Sequence, residues 1–440
     1  MDTHTLYNIF LKYPNICIDS RNAKENSIFF ALKGDNFDGN QYAEKALEKC
    51  EYAVVDNKDV IKNDKYILVD DVLKSLQYLA KYHRKRLGIP IIAITGTNGK
   101  TTTKELIYRV LSEKFNTAYT QGNFNNHIGV PLTLLSMNKN HEFGVVEMGA
   151  NHIGEIELLC KITAPDFGII TNVGKAHLEG FNSFEGVIKA KSELYKYLYE
   201  NDGIAFVNYD NEILEDMKPP HNIIYYGTKE FTHCQGKIKE NGIFLTVQWI
   251  ASEDIINNKD LIAIKENKLI KTKLYGEYNF ENVMAAICVG NYFHVSDIKI
   301  KKAVESYEPQ NNRSQIVNTK TNTLIVDCYN ANPSSMKAAL TNFNKIQVDN
   351  KIIILGDMLE LGSSSSREHG AVISLLEDLN MKDVYLIGDN FMVYNDKKDF
   401  RFFMDVDELN KYLQNNKIEN KYILIKGSNG IKLDKVIPFL

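Results

Sequence analysis

At 440 residues the chain is too long for one core and predicts several domains, and its 44% apolar and 25% charged residues describe an ordinary globular composition. A net charge of −4 leaves no basic footprint for nucleic acid or an anionic membrane surface, and no apolar run is long enough to span a bilayer. Six scattered cysteines without CxxC spacing fit reduced thiols, and the N-terminus carries no signal-peptide pattern, so a cytoplasmic protein is expected.

In chain order, residues 1–87 read as a small α/β domain. It has short strands at Ser27 to Leu32, Tyr52 to Val55 and Tyr66 to Val69, with helices at Gln41 to Lys49 and Val72 to Leu87. The second helix ends in the basic run Lys81 to Arg86, which reads as a solvated face suited to the helix dipole. Gly88 and Pro90 then read as a linker.

Next comes the apolar run Ile89 to Ile94, then Thr95-Gly96-Thr97-Asn98-Gly99-Lys100-Thr101-Thr102-Thr103, then a helix-forming segment from Lys104 to Lys114. Strand, glycine turn, lysine, threonine and helix are the parts of a phosphate loop. Its backbone N–H groups close on phosphate oxygens, Lys100 reaches the terminal phosphates, and the Thr101 hydroxyl can ligate Mg²⁺. The first glycine of the usual spacing is replaced by Ile94, giving the shortened form GxxGKT. A nucleoside triphosphate is the expected ligand.

Strands at Ile91 to Thr95, Phe143 to Glu147, Phe167 to Val173, Gly203 to Val207 and Ile223 to Tyr226 alternate with helical stretches, which predicts a mostly parallel sheet. Residues from about 235 to 275 read as β-rich hairpins, followed by helices at Asn279 to Tyr292 and Asp297 to Ser306. The polar stretch from Pro309 to Ser314 reads as a second linker. Beyond it, strands Thr323 to Cys328, Lys351 to Leu355, Asp383 to Ile387 and Tyr422 to Lys426 alternate with helices, and Ser363 to Ser366 reads as a simple loop. The expected architecture is therefore α/β in three domains: a small one over 1–87, a central P-loop ATPase-like domain over 88–312, and a Rossmann-like one over 313–440 that lacks GxGxxG.

Several constellations fall near carboxyl ends of strands, where α/β sheets place ligands. Glu147 closes an apolar strand, either as a surface glutamate or as a carboxylate for Mg²⁺. His177 follows another strand, and by itself is as well read as structural. Lys191 lies in an amphipathic helix from about Ser183 to Glu200, where pattern alone favours a solvated charged face. Asn123, Asn125 and Asn126 form an amide-rich loop that serves either a turn or a polar ligand. Asp327, Tyr329 and Asn330 repeat such an arrangement before the Asn332-Pro333 helix entry.

Together these motifs resemble the Mur ligase family, ATP-dependent amide-forming enzymes of peptidoglycan precursor synthesis. The likeness runs through Asp19-Ser20-Arg21, Phe30 to Gly34, the GTNGKTTTKE loop, GNFNN, VVEMGAN, NVGKAHLEGF, AKSE, Asn279 with Asn282, DCYNANPSSM, LGDMLELG and Lys426-Gly427-Ser428. It implies that Gly96, Thr97, Asn98, Gly99, Lys100, Thr101 and Thr102 hold ATP phosphates, with Asn279, Asn282, Arg313, Asp327, Tyr329 and Asn330 on the nucleotide. It implies two Mg²⁺ ions, with Thr101, Glu147, His177 and Lys191 as ligands, Lys191 being carbamylated; Lys100, Lys191 and His177 form the implied catalytic set. Ser20, Arg21, Lys33, Gly34 and the Asn123 to Asn126 loop would bind substrate.

The DCYNANPSSM and GNFNN pair further implies UDP-N-acetylmuramoyl-tripeptide and D-alanyl-D-alanine as substrates of a monomeric enzyme. Asn40, Tyr278 and Asn429 depart from the family pattern, at positions where histidine, histidine and arginine are common. A sister amide ligase, such as a folylpolyglutamate synthase, and a nucleotide-dependent switch or transport ATPase remain the other classes.

Overall fold

The computed structural model describes residues 2–241, 243–251, 268–397 and 399–440. Part of the hairpin region read at 235 to 275 thus lies outside the described residues. Three α/β units follow one another, each built on its own largely parallel sheet.

The N-terminal sheet runs Asn15–Cys17, Ser27–Phe30, Tyr52–Val55 and Tyr66–Leu68 in spatial order, all parallel. Two elements here were not legible in the sequence, the opening helix Thr3–Lys12 and the edge strand Asn15–Cys17. The helix expected at Gln41 to Lys49 is instead a 3₁₀ turn, Gly39–Tyr42, and a single helical turn, Ala43–Ala46.

Helix Val72–Leu87 has the expected bounds and ends at Gly88, whose φ of 65° is the left-handed cap that glycine supplies. Its basic run is not simply solvated. Arg84 is buried, donating to the carbonyls of Thr163 (2.9 Å) and Ala164 (2.9 Å) and pairing with Asp166 at 2.8 Å. His83 is buried between the Tyr7 hydroxyl and the Met137 carbonyl. The helix is thereby bolted to the central unit, against helices Gly129–Leu135 and Glu155–Thr163.

The central sheet has the order Lys268–Tyr275, Phe244–Ala251, Cys234–Asn241, Ile223–Gly227, Ile204–Asn208, Phe167–Ile170, Ile91–Thr95, Phe143–Glu147, Thr117–Tyr119. The hairpin strands are antiparallel to one another but continue this same sheet, because Cys234–Asn241 joins Ile223–Gly227 in parallel. Ile91–Thr95 lies between Phe167–Ile170 and Phe143–Glu147, so the chain diverges on either side of it. That opens a crevice at its carboxyl end.

The C-terminal sheet runs Gln315–Asn318, Thr323–Asp327, Tyr422–Lys426, Lys351–Gly356, Val384–Ile387, Arg401–Phe403, with the first strand antiparallel. That edge strand begins directly after the stretch read as a linker. The serine run is likewise not a loop: Gly362–Ser364 is a 3₁₀ turn, and helix Ser365–Asp378 starts within the run.

Candidate active site

The helix after strand Ile91–Thr95 begins at Lys100, four residues earlier than the sequence suggested, so the phosphate loop opens directly onto its N-terminus. Two glycines make the turn possible. Gly96 has φ 142° and a Cβ there would lie 2.0 Å from Thr171 Oγ1; Gly99 has φ 77° and its Cβ would lie 2.4 Å from Asn282 Oδ1. The neighbouring strand's loop braces the turn from one side. Asn172 accepts from Thr97 N through its carbonyl (2.9 Å) and from Asn98 N through its side chain (2.9 Å), and Thr171 Oγ1 donates to Asn98 O (2.6 Å).

Lys100 folds over the loop, its ammonium donating to the carbonyls of Gly96 (2.8 Å) and Thr97 (3.0 Å). Burial holds its pKa below the ordinary lysine value, against the opposing pull of Glu147. Glu147 is 1% exposed and ends strand Phe143–Glu147 directly beside the loop. Its carboxylate accepts from Thr101 Oγ1 (3.0 Å) and Asn125 Nδ2 (2.8 Å), with the Lys104 ammonium 3.4 Å away. Sequence reasoning missed Lys104, which is wholly buried one turn beyond Lys100; the available signal was a charged side chain on the helix's inward face.

Lys191 is 3% exposed, so the charged-face reading fails for it, although Lys189 and Lys196 on the same helix are exposed. Burial first, then repulsion from Lys100, brings its pKa down to about 7. Its ammonium lies 5.5 Å from the Phe181 ring. His177 adopts φ 48°, and its Nδ1 pairs with the Glu360 carboxylate of the C-terminal unit. Burial lowers the imidazole pKa, Glu360 opposes that, and Lys100 and Lys191 add to it.

The C-terminal unit closes the crevice. Asn332 Nδ2 donates to Asn98 Oδ1 (2.8 Å), Ser334 Oγ accepts from Lys175 N (3.1 Å), and the Lys175 ammonium pairs with buried Glu368 at 3.0 Å. Asp327 is held by Lys426 (2.7 Å) and accepts from Ser314 N (3.1 Å), and the Arg313 guanidinium stacks 3.5 Å from the Tyr329 ring centroid. From the central unit, Asn282 donates to Asn279 Oδ1 (2.8 Å), and the Tyr278 hydroxyl, standing where a histidine is common, bonds Ser314 Oγ at 2.6 Å.

Most of these groups line one cavity of about 800 Å³, while Lys104, Thr171, Lys175 and Glu368 are not part of its lining. The structure brings together there Gly96 to Thr102, Asn123, Asn125, Asn126, Glu147, His177, Lys191, Asn279, Asn282, Arg313, Asp327, Tyr329 and Asn330. Ser20, Arg21, Lys33 and Gly34 do not line it. Arg21 forks onto Asp19 (2.8 Å), Ser20 opens a 3₁₀ turn, and Lys33 pairs with Asp56 at 2.8 Å beside the Lys33–Gly34/Phe37–Asp38 hairpin. Asn40, buried beneath them, donates to Asp38 (2.7 Å) and Asp56 (2.8 Å). The N-terminal unit thus presents a separate polar surface.

Among the described residues no three His, Cys, Asp or Glu side chains cluster as a ready metal cage. The Thr101 hydroxyl and the Glu147 carboxylate, 3.0 Å apart at the base of a phosphate loop, are instead the sparse hard-oxygen set that suits Mg²⁺ shared with phosphates.

Residues 94–290 match the family model of the Mur ligase middle domain, and residues 312–429 that of the Mur ligase glutamate ligase domain. The Bacillus subtilis UDP-N-acetylmuramoyl-tripeptide–D-alanyl-D-alanine ligase is 33% identical, covering 97% of this chain and 92% of its own. Among solved structures, MurF from Acinetobacter baumannii superposes with TM-score 0.86 at 29% identity over 96% of this chain and 92% of that one. MurF ligase from Thermotoga maritima in complex with ADP gives 0.83 at 25% identity over 98% and 97%.

Proposed function

We propose, for a chain that belongs to the Mur ligase family, that it is the ATP-dependent ligase joining D-alanyl-D-alanine to UDP-N-acetylmuramoyl-tripeptide. Full-length likeness to ligases of that name supports the substrates, and the ADP-bound neighbour supports the nucleotide. The observation that carries the reading is the meeting of phosphate loop, buried Glu147 and the Asp327–Asn332 loop around one cavity.

In this reading ATP phosphorylates the tripeptide carboxylate, the dipeptide amine attacks the acyl phosphate, and the tetrahedral adduct expels phosphate. The loop amides and Lys100 bind the phosphates and stabilise the charge that builds on the transferred phosphoryl group. Asn279, Asn282, Arg313, Asp327, Tyr329 and Asn330 hold the nucleotide across the two units, which fixes the reactants relative to one another.

Thr101 and Glu147 would hold Mg²⁺, with His177 and a carbamylated Lys191 for a second ion, and the ions would supply charge neutralisation at the phosphates. A Lys191 pKa near 7 leaves much of the amine neutral, the form that adds CO₂, and the resulting anion would relieve the Lys100–Lys191 repulsion. Ser20, Arg21, Lys33 and Gly34 would engage the sugar nucleotide, and Asn123, Asn125 and Asn126 the peptide. The proposal takes 1–87, 88–312 and 313–440 as the domains of a monomer. A cytoplasmic location is part of it, supported by six buried free thiols.

The test is phosphate release with UDP-muramoyl peptides, with and without D-alanyl-D-alanine. Release that requires both substrates is expected. Vigorous hydrolysis of ATP alone would favour a switch or transport ATPase, and better turnover with a single amino acid would favour a sister ligase.

A further inference from the structure

The loop after strand Lys351–Gly356 delivers one carboxylate into the reaction cavity from the C-terminal unit. Its flanks are pinned. Met358 (1% exposed) donates its N–H to His369 Nε2 at 3.0 Å, Leu359 N donates to Ser428 Oγ at 2.9 Å, and Leu361 is 3% exposed. Between them Glu360 adopts φ 63°, a left-handed conformation that a residue with a Cβ rarely takes. That turn aims its side chain, 56% exposed, across the boundary onto His177 Nδ1, itself on a residue at φ 48°. Two such outliers facing each other across two units mark a place where position outweighs backbone preference.

Each of the cavity's other carboxylates has its partners within its own unit. Glu147 holds Thr101, Asn125 and Lys104. Glu155 accepts from the N–H groups of Asn151 and His152. Asp327 is paired with Lys426. Glu281 is pushed up to about 7 by burial and by Asp210. Among the described lining residues, Glu360 is left as the exposed anion with an imidazole for its partner. Lys100 and Lys191 line the same cavity, so it holds charges of both signs.

We infer that Glu360 is the binding group for the ammonium of the amine acceptor, so that the C-terminal unit brings the anion for the amine while Lys100 and Lys191 face the acyl phosphate. The inference rests on the amide-ligase reading and adds the acceptor subsite to it. The acceptor must be a small primary amine that enters as its ammonium and gives up a proton to solvent before the free amine attacks, and the Glu360 carboxylate replaces part of the water the ammonium sheds on entry.

The test uses the full chain with Glu360→Gln and Glu360→Asp. KM is measured for D-alanyl-D-alanine, for the sugar tripeptide and for ATP, together with the half-saturating Mg²⁺ concentration and the melting temperature. Glu360→Gln is expected to raise the dipeptide KM by at least about tenfold. The other two KM values should stay within about twofold, and Glu360→Asp should recover part of the loss. An unchanged dipeptide KM, an equal rise in all three, or a rise confined to the Mg²⁺ requirement (the mark of a carboxylate acting through His177) would overturn it. Should the wild type prefer another amine, its substrate assignment fails on the wild type alone and the Glu360 comparison is made with that amine. A wild type that accepts no amine overturns both.

Discussion

A lysine with no exposed surface is costly unless its charge is matched, and Lys104 sits 3.4 Å from an equally buried Glu147. Lys104→Met takes the nearest cation from that buried carboxylate, so urea unfolding should show a loss of about 3–5 kcal/mol. Adding Glu147→Gln should restore much of it; additive losses would refute the pairing. Lys100 has a different role in the proposed function, where its ammonium binds the phosphates: Lys100→Ala should fold normally while losing about a thousandfold in turnover, or roughly 4 kcal/mol of transition-state stabilisation. Retention of a tenth of wild-type turnover would exclude this loop as the phosphate site.

Lys191 has a pH signature. Unfolded, it keeps its proton up to about pH 10.4, whereas in the folded protein its pKa falls to about 7. Between those values the unfolded chain binds more protons, so this residue's contribution to stability rises with pH across that window, and its burial penalty is full below pH 7. In CO₂-free buffer Lys191→Met should therefore raise the melting temperature more at pH 6 than at pH 9. With Lys191→Ala, acetate or formate should partly restore ligation; near-normal activity without them would remove the carbamate.

At the scale of elements, helix Val72–Leu87 shows how much periodicity reveals. Its bounds follow from the apolar spacing and the Gly88 stop, but not the burial of Arg84 within the basic run. Arg84 caps the carbonyls at the end of helix Glu155–Thr163 and pairs with Asp166, which also accepts from Ile91 N at 2.8 Å. The residue thus fixes the start of the strand that carries the phosphate loop. Arg84→Met keeps the aliphatic volume but strands two carbonyls, and should cost about 1–3 kcal/mol in chemical denaturation. No measurable loss would mean that solvent replaces these bonds.

At the scale of the molecule, the contacts by which the C-terminal unit meets the central one include the polar pairs Asn98 with Asn332, Lys175 with Glu368, His177 with Glu360, Tyr278 with Ser314 and Glu277 with Asn342 and Lys345. Interfaces of this kind open and close readily. Glu368 is 6% exposed on its side chain while Lys175 is half-exposed, so Lys175→Met leaves the buried carboxylate facing the boundary with Arg367 as its remaining cation among the described residues. The variant should be more expanded in small-angle scattering and should have a lower kcat, while its melting temperature stays near that of the wild type. An unchanged radius of gyration would show that this pair does not hold the closed arrangement.

The sequence by itself determined the phosphate loop, the parallel strand series and the three α/β units, because glycine spacing and apolar runs are local properties. Strands such as Ile91–Thr95, Phe143–Glu147 and Tyr422–Lys426 have the bounds their composition predicts. The family likeness singled out one lysine where pattern could not: Lys191 and Lys189 lie on one helix two residues apart, yet only the first is buried. Tertiary structure alone decided which charges meet. Thr101 with Glu147 is a contact across 46 positions, Asn98 with Asn332 one across 234, and His177 with Glu360 joins two units. Side-chain periodicity reports which way a residue faces within its own element, whereas an electrostatic site is fixed by what the rest of the chain places opposite it.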